Sequence, residues 1–383
     1  MSENRPRLGV GMVGYSFMGR SHSIAWRTLN PAFEVEHDID MAAIVGRDTQ
    51  KVQAAADKLG WRTYETDWNR LVQRDDIDIV DVCTPGGLHA EVSIAALQAG
   101  KHVICEKPLA NTVDEAVAMT EAAERAAASG IRSMVAFNYR RVPAAAFARQ
   151  LVAEGKLGAI RHVRAVYAQD FLTDPQAPMM WRLKKEQAGS GALGDIGSHI
   201  VDLTQFVTGE RITGVSALTE TFVKQRPLAD GSGTDSVTVD DAALFIARLS
   251  GGAVASYEAT RFATGRRNAL RFEINGEHGS IAFDLERLNE LELYLAGDEG
   301  TEQGFRRVLV TEGDHPYLAA WWPPGHILGW EHTFTHEAYD FVTAIERGTD
   351  PAPSFADGLA VQRVLDAVLR SAENGSSWTV IEA

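Results

Sequence analysis

Glu106, Lys107 and Pro108 follow a short apolar run, His102 to Cys105, at the place where the fifth strand of a nucleotide-binding sheet would end. Ligands of open parallel sheets bind beyond the carboxyl ends of the strands, so a lysine here is aimed at whatever a cofactor acts upon. Its ammonium can polarise a hydroxyl or carbonyl and stabilise the oxyanion that develops during hydride transfer. The proline behind it restricts the backbone. A surface lysine before a turn proline is the alternative, and three residues alone do not decide between the two.

A second constellation lies downstream. Gly189-Ser190-Gly191-Ala192-Leu193-Gly194 leads into Asp195 and, four residues on, His199. A helix starting near Asp195 puts both side chains on one face. The histidine can then remove a hydroxyl proton while the carboxylate orients and charges it. An N-cap aspartate and a core histidine are the competing readings, and a metal pair lacks a third ligand nearby in sequence. His332 and His336 are also four apart; they read as the face of a helix, and no metal is expected.

These groups need elements to hold them. From Leu8 to about Phe137 short β-branched runs alternate with helical patterns, the signature of βαβ units and a parallel sheet. Strands are expected at Leu8 to Val13, Met41 to Val45, Ile79 to Cys83, His102 to Cys105 and Met134 to Phe137. Helices are expected over Gly19 to Leu29, Asp48 to Leu59 with Gly60 behind it, His89 to Ala99, and from Thr112, where Glu115 completes a capping box.

Two glycine registers compete in the first turn. Gly9, Gly11 and Gly14 form a literal GxGxxG, but that turn would fall inside the apolar run. Gly14, Ser16 and Gly19 fit strand, turn and helix: Gly14 makes the turn, Ser16 takes the place of the pyrophosphate-approach glycine, and Gly19 allows close packing. Phe17 and Met18 complete this loop. At the end of the second strand, where an acidic residue would hold the ribose of NAD, the chain has Gly46-Arg47-Asp48. Arg47 can pair with a 2′-phosphate, which favours NADP over NAD, with dual use open; Asp48 doubles as a helix cap.

After Pro143 the texture changes. A helix to about Glu154 precedes strands at Ile160 to Tyr167, Ala242 to Leu249, Ala253 to Thr260, Arg271 to Ile274 and Ser280 to Asp284. Turns at Ser250-Gly251-Gly252 and Asn275-Gly276 predict a largely antiparallel α+β domain. The polar stretch Gln225 to Thr238 reads as a mobile loop, and a helix from Phe355 to about Ala372 closes the chain. The expected division is residues 1–141 and 142–383.

A chain of 383 residues has room for two such domains. Its 52 acidic against 37 basic residues, a formal charge of -15, repel phosphodiester backbones and anionic lipid headgroups. Nucleic-acid and membrane partners are therefore not expected. Cys83 and Cys105 each end an apolar run and supply neither a disulfide framework nor a thiolate cluster, which fits a reducing, cytoplasmic setting. Met1 to Arg7 is polar and lacks the pattern of a signal peptide, and no apolar run approaches the ~20 residues of a membrane span.

Taken in order, the separated segments resemble the Gfo/Idh/MocA family of NAD(P)-dependent sugar and cyclitol oxidoreductases over nearly the whole chain. They are Gly14 to Gly19 with His22, Thr84-Pro85 with His89, Gly100 to Val103 running into Glu106-Lys107-Pro108, Asn138 to Arg141, and Gly191 to His199. The inositol and levoglucosan dehydrogenase branch is most similar. The resemblance implies an N-terminal Rossmann domain, a doubly wound parallel sheet, and a C-terminal α+β domain with a large, mostly antiparallel sheet. It implies hydride transfer between NAD(P) and a ring carbon of a sugar, anhydrosugar or cyclitol. It makes Lys107 the substrate-polarising lysine before a commonly cis Pro108, and gives Asp195 and His199 the substrate-binding and proton-transfer roles. Thr84, Pro85, His89 and Glu106 would serve the cofactor side, and Trp181 and Arg182 would border nicotinamide or sugar. Tyr139, Gln169 and His332 are further candidates for hydroxyl contacts. Relatives are commonly dimers or tetramers. Ser16 and Gly86 depart from the family pattern, the latter standing where asparagine is usual. A cofactor-assisted glycosidase with transient oxidation, and a nucleotide-binding sensor without catalysis, are the rival functions.

Overall fold

The expected strand and helix alternation is present in the computed structural model, which describes residues 5–297 and 299–382; the first four residues, part of the amino-terminal stretch considered above, lie outside the described residues. The chain divides into two compact units, residues 1–141 with 329–359, and residues 142–328 with 360–383.

In the first unit the strands are β1 (Arg7–Val13), β2 (Asp38–Val45), β3 (Thr63–Glu65), β4 (Ile79–Val82), β5 (His102–Glu106) and β6 (Ser133–Ala136). They form one parallel sheet in the order β3-β2-β1-β4-β5-β6. That order is the doubly wound dinucleotide-binding arrangement, with its switch point between β1 and β4. Helices α1 (Phe17–Ala32), α2 (Thr49–Leu59), α3 (Trp68–Val72), α4 (His89–Gln98) and α5 (Val113–Ala127) connect the strands. Their ends follow the local sequence. Asp48 accepts the Lys51 N–H, Gly60 takes the left-handed conformation after α2, and Thr112 and Glu115 form the reciprocal capping box of α5. Each cap contributes about 1 kcal/mol.

In the second unit α6 (Pro143–Ala153) leads into β7 (Ile160–Ala168), followed by α7 (Lys185–Ala188), α8 (Ser198–Thr208) and β8 (Ile212–Glu220). Then come β9 (Gln225–Pro227), β10 (Thr234–Ser236), β11 (Ala242–Leu249), β12 (Val254–Thr260), β13 (Ala269–Gly276), β14 (Gly279–Asp284), β15 (Glu290–Leu295) and β16 (Arg306–Leu309). Of the remaining elements, α9 (His332–Arg347) belongs to the first unit, α10 (Phe355–Glu373) begins there and continues in the second, and β17 (Thr379–Val380) lies in the second. Nine strands form a sheet of order β16-β15-β14-β13-β7-β12-β11-β8-β17, antiparallel throughout except where β12 runs parallel to β7. Strict alternation sorts its two faces. Phe245, Ala247, Ala255, Tyr257 and Phe272 are buried, whereas Leu218, Leu244, Ile246 and Val254 lie exposed on the other face.

Three local expectations are corrected. Gln225 to Thr238 is a paired hairpin, β9 with β10, instead of a loose loop; Arg226 is fully buried inside it and donates to the carbonyls of Leu172, Asp174 and Ala177. The β13–β14 turn is displaced from Asn275-Gly276 to Glu277-His278, because β13 keeps its ladder through Gly276. The segment 329–359 groups with the first unit, whereas the sequence reading ran the second domain unbroken from 142 to 383. The physical reason is α9: Phe334 and Phe341 are buried, Phe33 of α1 stacks on Tyr339, and the His336 ring hydrogen-bonds the Arg141 carbonyl. Among the described residues no helix is long and apolar enough to cross a membrane.

Candidate active site

The glycine loop takes the non-literal register. Gly9 and Gly11 lie within β1, and Gly14, at φ +109°, makes the turn. A Cβ on Gly14 would collide with the Cys83 carbonyl, and one on Gly19 with the carbonyl of Gly14. Both glycines are therefore required where β1 passes into α1. Ser16 is the N-cap of α1 but makes no side-chain cap bond, so the first amides of the helix are not satisfied by it. Such an N-terminus suits a pyrophosphate. Phe17, exposed beside it, stacks on Trp330 at 5.5 Å, and Met18 is half-buried. At the end of β2, Gly46 cannot carry a side chain because the Tyr15 ring occupies that space. Asp48 caps α2 by accepting the Lys51 N–H, and Arg47 before it is exposed.

At the ends of β4 and β5 the Thr84 Oγ1 is buried without a hydrogen-bond partner, a polar atom suited to a nucleotide ligand. Pro85 is exposed, and at Gly86 the Asn111 side chain fills the space a Cβ would need. The Lys107–Pro108 peptide is cis. The ring nitrogens of His89, a cofactor-side candidate, lie 2.9 Å from the Pro108 and Thr84 carbonyls. It staples the two strand ends together. Burial opposes its charge, yet Cys105 and the two carbonyl acceptors carry its pKa up to about 9.

That shift gives a stability prediction. A histidine whose folded pKa is raised from the ordinary 6.5 to about 9 contributes stability that is complete below 6.5 and lost as pH rises through about 9. Glu337 on α9 acts in the same direction: burial raises its pKa to about 8 against the pull of Arg141 and His22, with Glu106 and Asp81 adding to the rise. Denaturant unfolding between pH 6.5 and 9.5 should show stability falling by about 3 kcal/mol through His89 alone. His89→Gln should lose that share of the slope. A wild-type profile that is flat or rising over this window refutes the assignment.

Of the remaining first-unit candidates, Tyr139 is buried and its hydroxyl accepts the Trp330 indole N–H at 3.3 Å. His332, at the start of α9, accepts the Gly329 N–H at Nδ1. His336 is buried, with its pKa driven down to about 3 by desolvation.

The second unit holds Asp195 and His199. The expected regular helix is replaced at Asp195 by a π-helical turn, Leu193–Gly197, which runs into α8. Such turns recur at functional sites because they re-aim a side chain without ending the helix. Asp240 builds this turn: its carboxylate accepts the Gly191 and Leu193 N–H groups at 2.7 and 2.8 Å, and its carbonyl accepts that of Ala192. A Cβ on Gly191 would collide with that carbonyl. The Asp195 carboxylate lies 3.6 Å from Arg261, whose side chain is fully buried, and 3.8 Å from Arg182. Two cations thus hold it, and Arg182 itself lies 4.4 Å above the Trp181 ring. His199 is buried beside Tyr167, ring centroids 5.9 Å apart. Asn268 accepts both the Tyr167 hydroxyl and the Gln169 amide at 2.7 Å. Sequence reasoning missed Arg261, Asp240 and Asn268, which lie far along the chain in connections flanking β11, β12 and β13 and carry no local motif.

A dinucleotide-binding parallel sheet with a lysine at a strand end, followed by a sheet domain carrying an arginine-held aspartate and a buried histidine, defines a nicotinamide-dependent oxidoreductase. The chain belongs to the Gfo/Idh/MocA family: residues 8–131 match the oxidoreductase family with the NAD-binding Rossmann fold, and residues 146–282 match the GFO/IDH/MocA C-terminal domain. It is 42% identical to the levoglucosan dehydrogenase of Pseudarthrobacter phenanthrenivorans, over 97% of both chains. A solved oxidoreductase domain protein from Kribbella flavida is 60% identical, with a TM-score of 0.96, covering 99% of this chain and 100% of that one. The structure of a levoglucosan dehydrogenase with NADH and levoglucosan aligns at 41% identity and a TM-score of 0.94, covering 98% and 99%.

Proposed function

We propose that this NAD(P)-dependent dehydrogenase oxidises a ring hydroxyl of an anhydrosugar, sugar or cyclitol, with levoglucosan as the first substrate to test. The observation that carries the substrate class is the 42% identity to levoglucosan dehydrogenase over 97% of both chains, together with an intact Lys107, Asp195 and His199 set. The nicotinamide ring, when bound, accepts or returns the hydride. His199 takes the hydroxyl proton, Asp195 binds the substrate and steadies that proton transfer, and Lys107 stabilises the alkoxide oxygen. Arg182, Tyr139, Gln169 and His332 contribute hydroxyl contacts, with Trp181 covering an apolar ring face.

The test is dihydronicotinamide absorbance with NAD and NADP against levoglucosan, inositol and a panel of aldoses. Net cofactor reduction with at least one sugar is expected. Sugar consumption without reduction would instead mark a cofactor-assisted glycosidase, and no turnover of any sugar would mark a sensor. We assign Arg47 to the 2′-phosphate, so NADP should have the lower KM, and Arg47→Ala should raise it about tenfold with little change for NAD. A variant that changes neither constant removes Arg47 from cofactor choice.

We further assign the exposed sheet face bearing Leu218, Leu244 and Ile246 to a second copy of the chain, giving a homodimer or homotetramer. Sedimentation should show an oligomer that Ile246→Arg weakens; a monomeric wild type at micromolar concentration rejects this. The two buried thiols suit a cytoplasmic setting, which localisation of a tagged chain checks.

A further inference from the structure

His22 is left without a task by the cofactor and proton-transfer assignments. Its ring is buried on α1, with Nδ1 3.0 Å from both carboxylate oxygens of Asp81 and Nε2 3.1 Å from Oε1 of Glu106. The second oxygen of Glu106 accepts the backbone N–H of Lys107 at 3.0 Å. Asp81 is fixed in turn by the Trp26 indole N–H at 2.7 Å and by the Cys83 thiol at 3.3 Å. The result is a continuous buried chain of hydrogen bonds from Asp81 through His22 and Glu106 to the amide of Lys107.

We propose that His22 is a positioning residue for Lys107, acting through Glu106. Both ring nitrogens face carboxylate oxygens, so both donate and the ring is an imidazolium. That cation holds one Glu106 oxygen and leaves the other for the Lys107 amide. It also compensates the buried Glu106 charge, which otherwise would turn toward the neighbouring ammonium and weaken its field at the substrate. His89 grips the Pro108 carbonyl on the other side, so the lysine stands between two histidine clamps.

The groups around His22 agree. Asp81 and Cys83 come from β4 and the residue after it, Glu106 from β5, Glu337 from α9, and Arg141 follows β6. Burial opposes the charge on His22, but Asp81 and Cys83 together outweigh it and hold the ring's pKa well above the ordinary histidine value. Stability alone is a poor reason for such a network, because well-packed apolar residues commonly replace buried ion pairs without loss. The donors of His22, Asp81 and Cys83 also lie within 4.8 Å of one another, types that ligate metals. The Trp26 N–H aimed at Asp81 and the imidazolium protons favour the hydrogen-bonded network over a cation.

The inference rests on the role given to Lys107 above, and the experiment separates the two. In the full-length protein, hydrogen exchange of the Lys107 amide should quicken about tenfold or more in His22→Gln, with the rest of β5 unchanged. In Glu106→Gln, which keeps an acceptor, it should change far less. Turnover of levoglucosan by His22→Gln should fall about tenfold with the cofactor KM within about twofold, and that loss should vanish in the Lys107→Ala background. Unchanged exchange, acceleration across the whole strand, or a full loss that persists without Lys107 overturns the inference. Normal turnover by Lys107→Ala itself instead overturns the lysine's role.

Discussion

Lys107→Ala is expected to lower turnover about a thousandfold or more while changing NAD(P) affinity by less than about threefold. A factor of that size corresponds to about 4 kcal/mol of transition-state stabilisation, the range reported for removing one preorganised donor from a developing oxyanion. The split between turnover and affinity follows from the proposed roles: the Gly14–Gly19 turn and the first amides of α1 are assigned to the nucleotide, whereas Lys107 directly follows β5. The His89 and Glu106 bonds hold the backbone on both sides of the lysine. Steady-state rates and fluorescence titration with NADH and NADPH measure the two quantities. A variant with near-normal turnover removes Lys107 from the chemistry.

Gly14→Ala is expected to act on the other quantity, weakening dinucleotide affinity about a hundredfold or more. Two costs coincide at this residue. Its φ of +109° disfavours any side chain, at about 1–3 kcal/mol, and a Cβ would collide with the Cys83 carbonyl. Relief requires β1 and β4 to part at the switch point, the place where α1 would meet the pyrophosphate. The melting temperature should fall as well. Wild-type affinity in a folded variant would mean that the dinucleotide does not use this turn. Gly9→Ala is the control, since its clash with the Asp76 carbonyl lies within the strand and should destabilise the sheet without a selective effect on binding.

The choice of glycine register was legible because it depends on local order: apolar run, turn, helix. The capping box at Thr112 and Glu115 was legible for the same reason, whereas the cis bond before Pro108 was implied only by the family resemblance. The antiparallel character of the second sheet followed from its alternation and turns. Less could be read where long-range contacts decide. The fate of His89 depends on the Pro108 carbonyl, and the π-helical turn at Asp195 depends on Asp240. The buried Arg261 beside Asp195 has no motif of its own. Arg226 made a polar stretch into an ordered hairpin by finding backbone carbonyls at residues 172, 174 and 177. In each case the partner is supplied by the tertiary fold, which composition and periodicity do not encode.

The return of residues 329–359 to the first unit bears on how the protein is made. A ribosome releases the six strands of the parallel sheet early, but Trp330, Phe334 and Glu337 emerge only after all of the second sheet except its edge strand β17 has been synthesised. Until then α1 lacks the aromatic cover of α9, and the nascent Rossmann half waits with apolar surface open to chaperones.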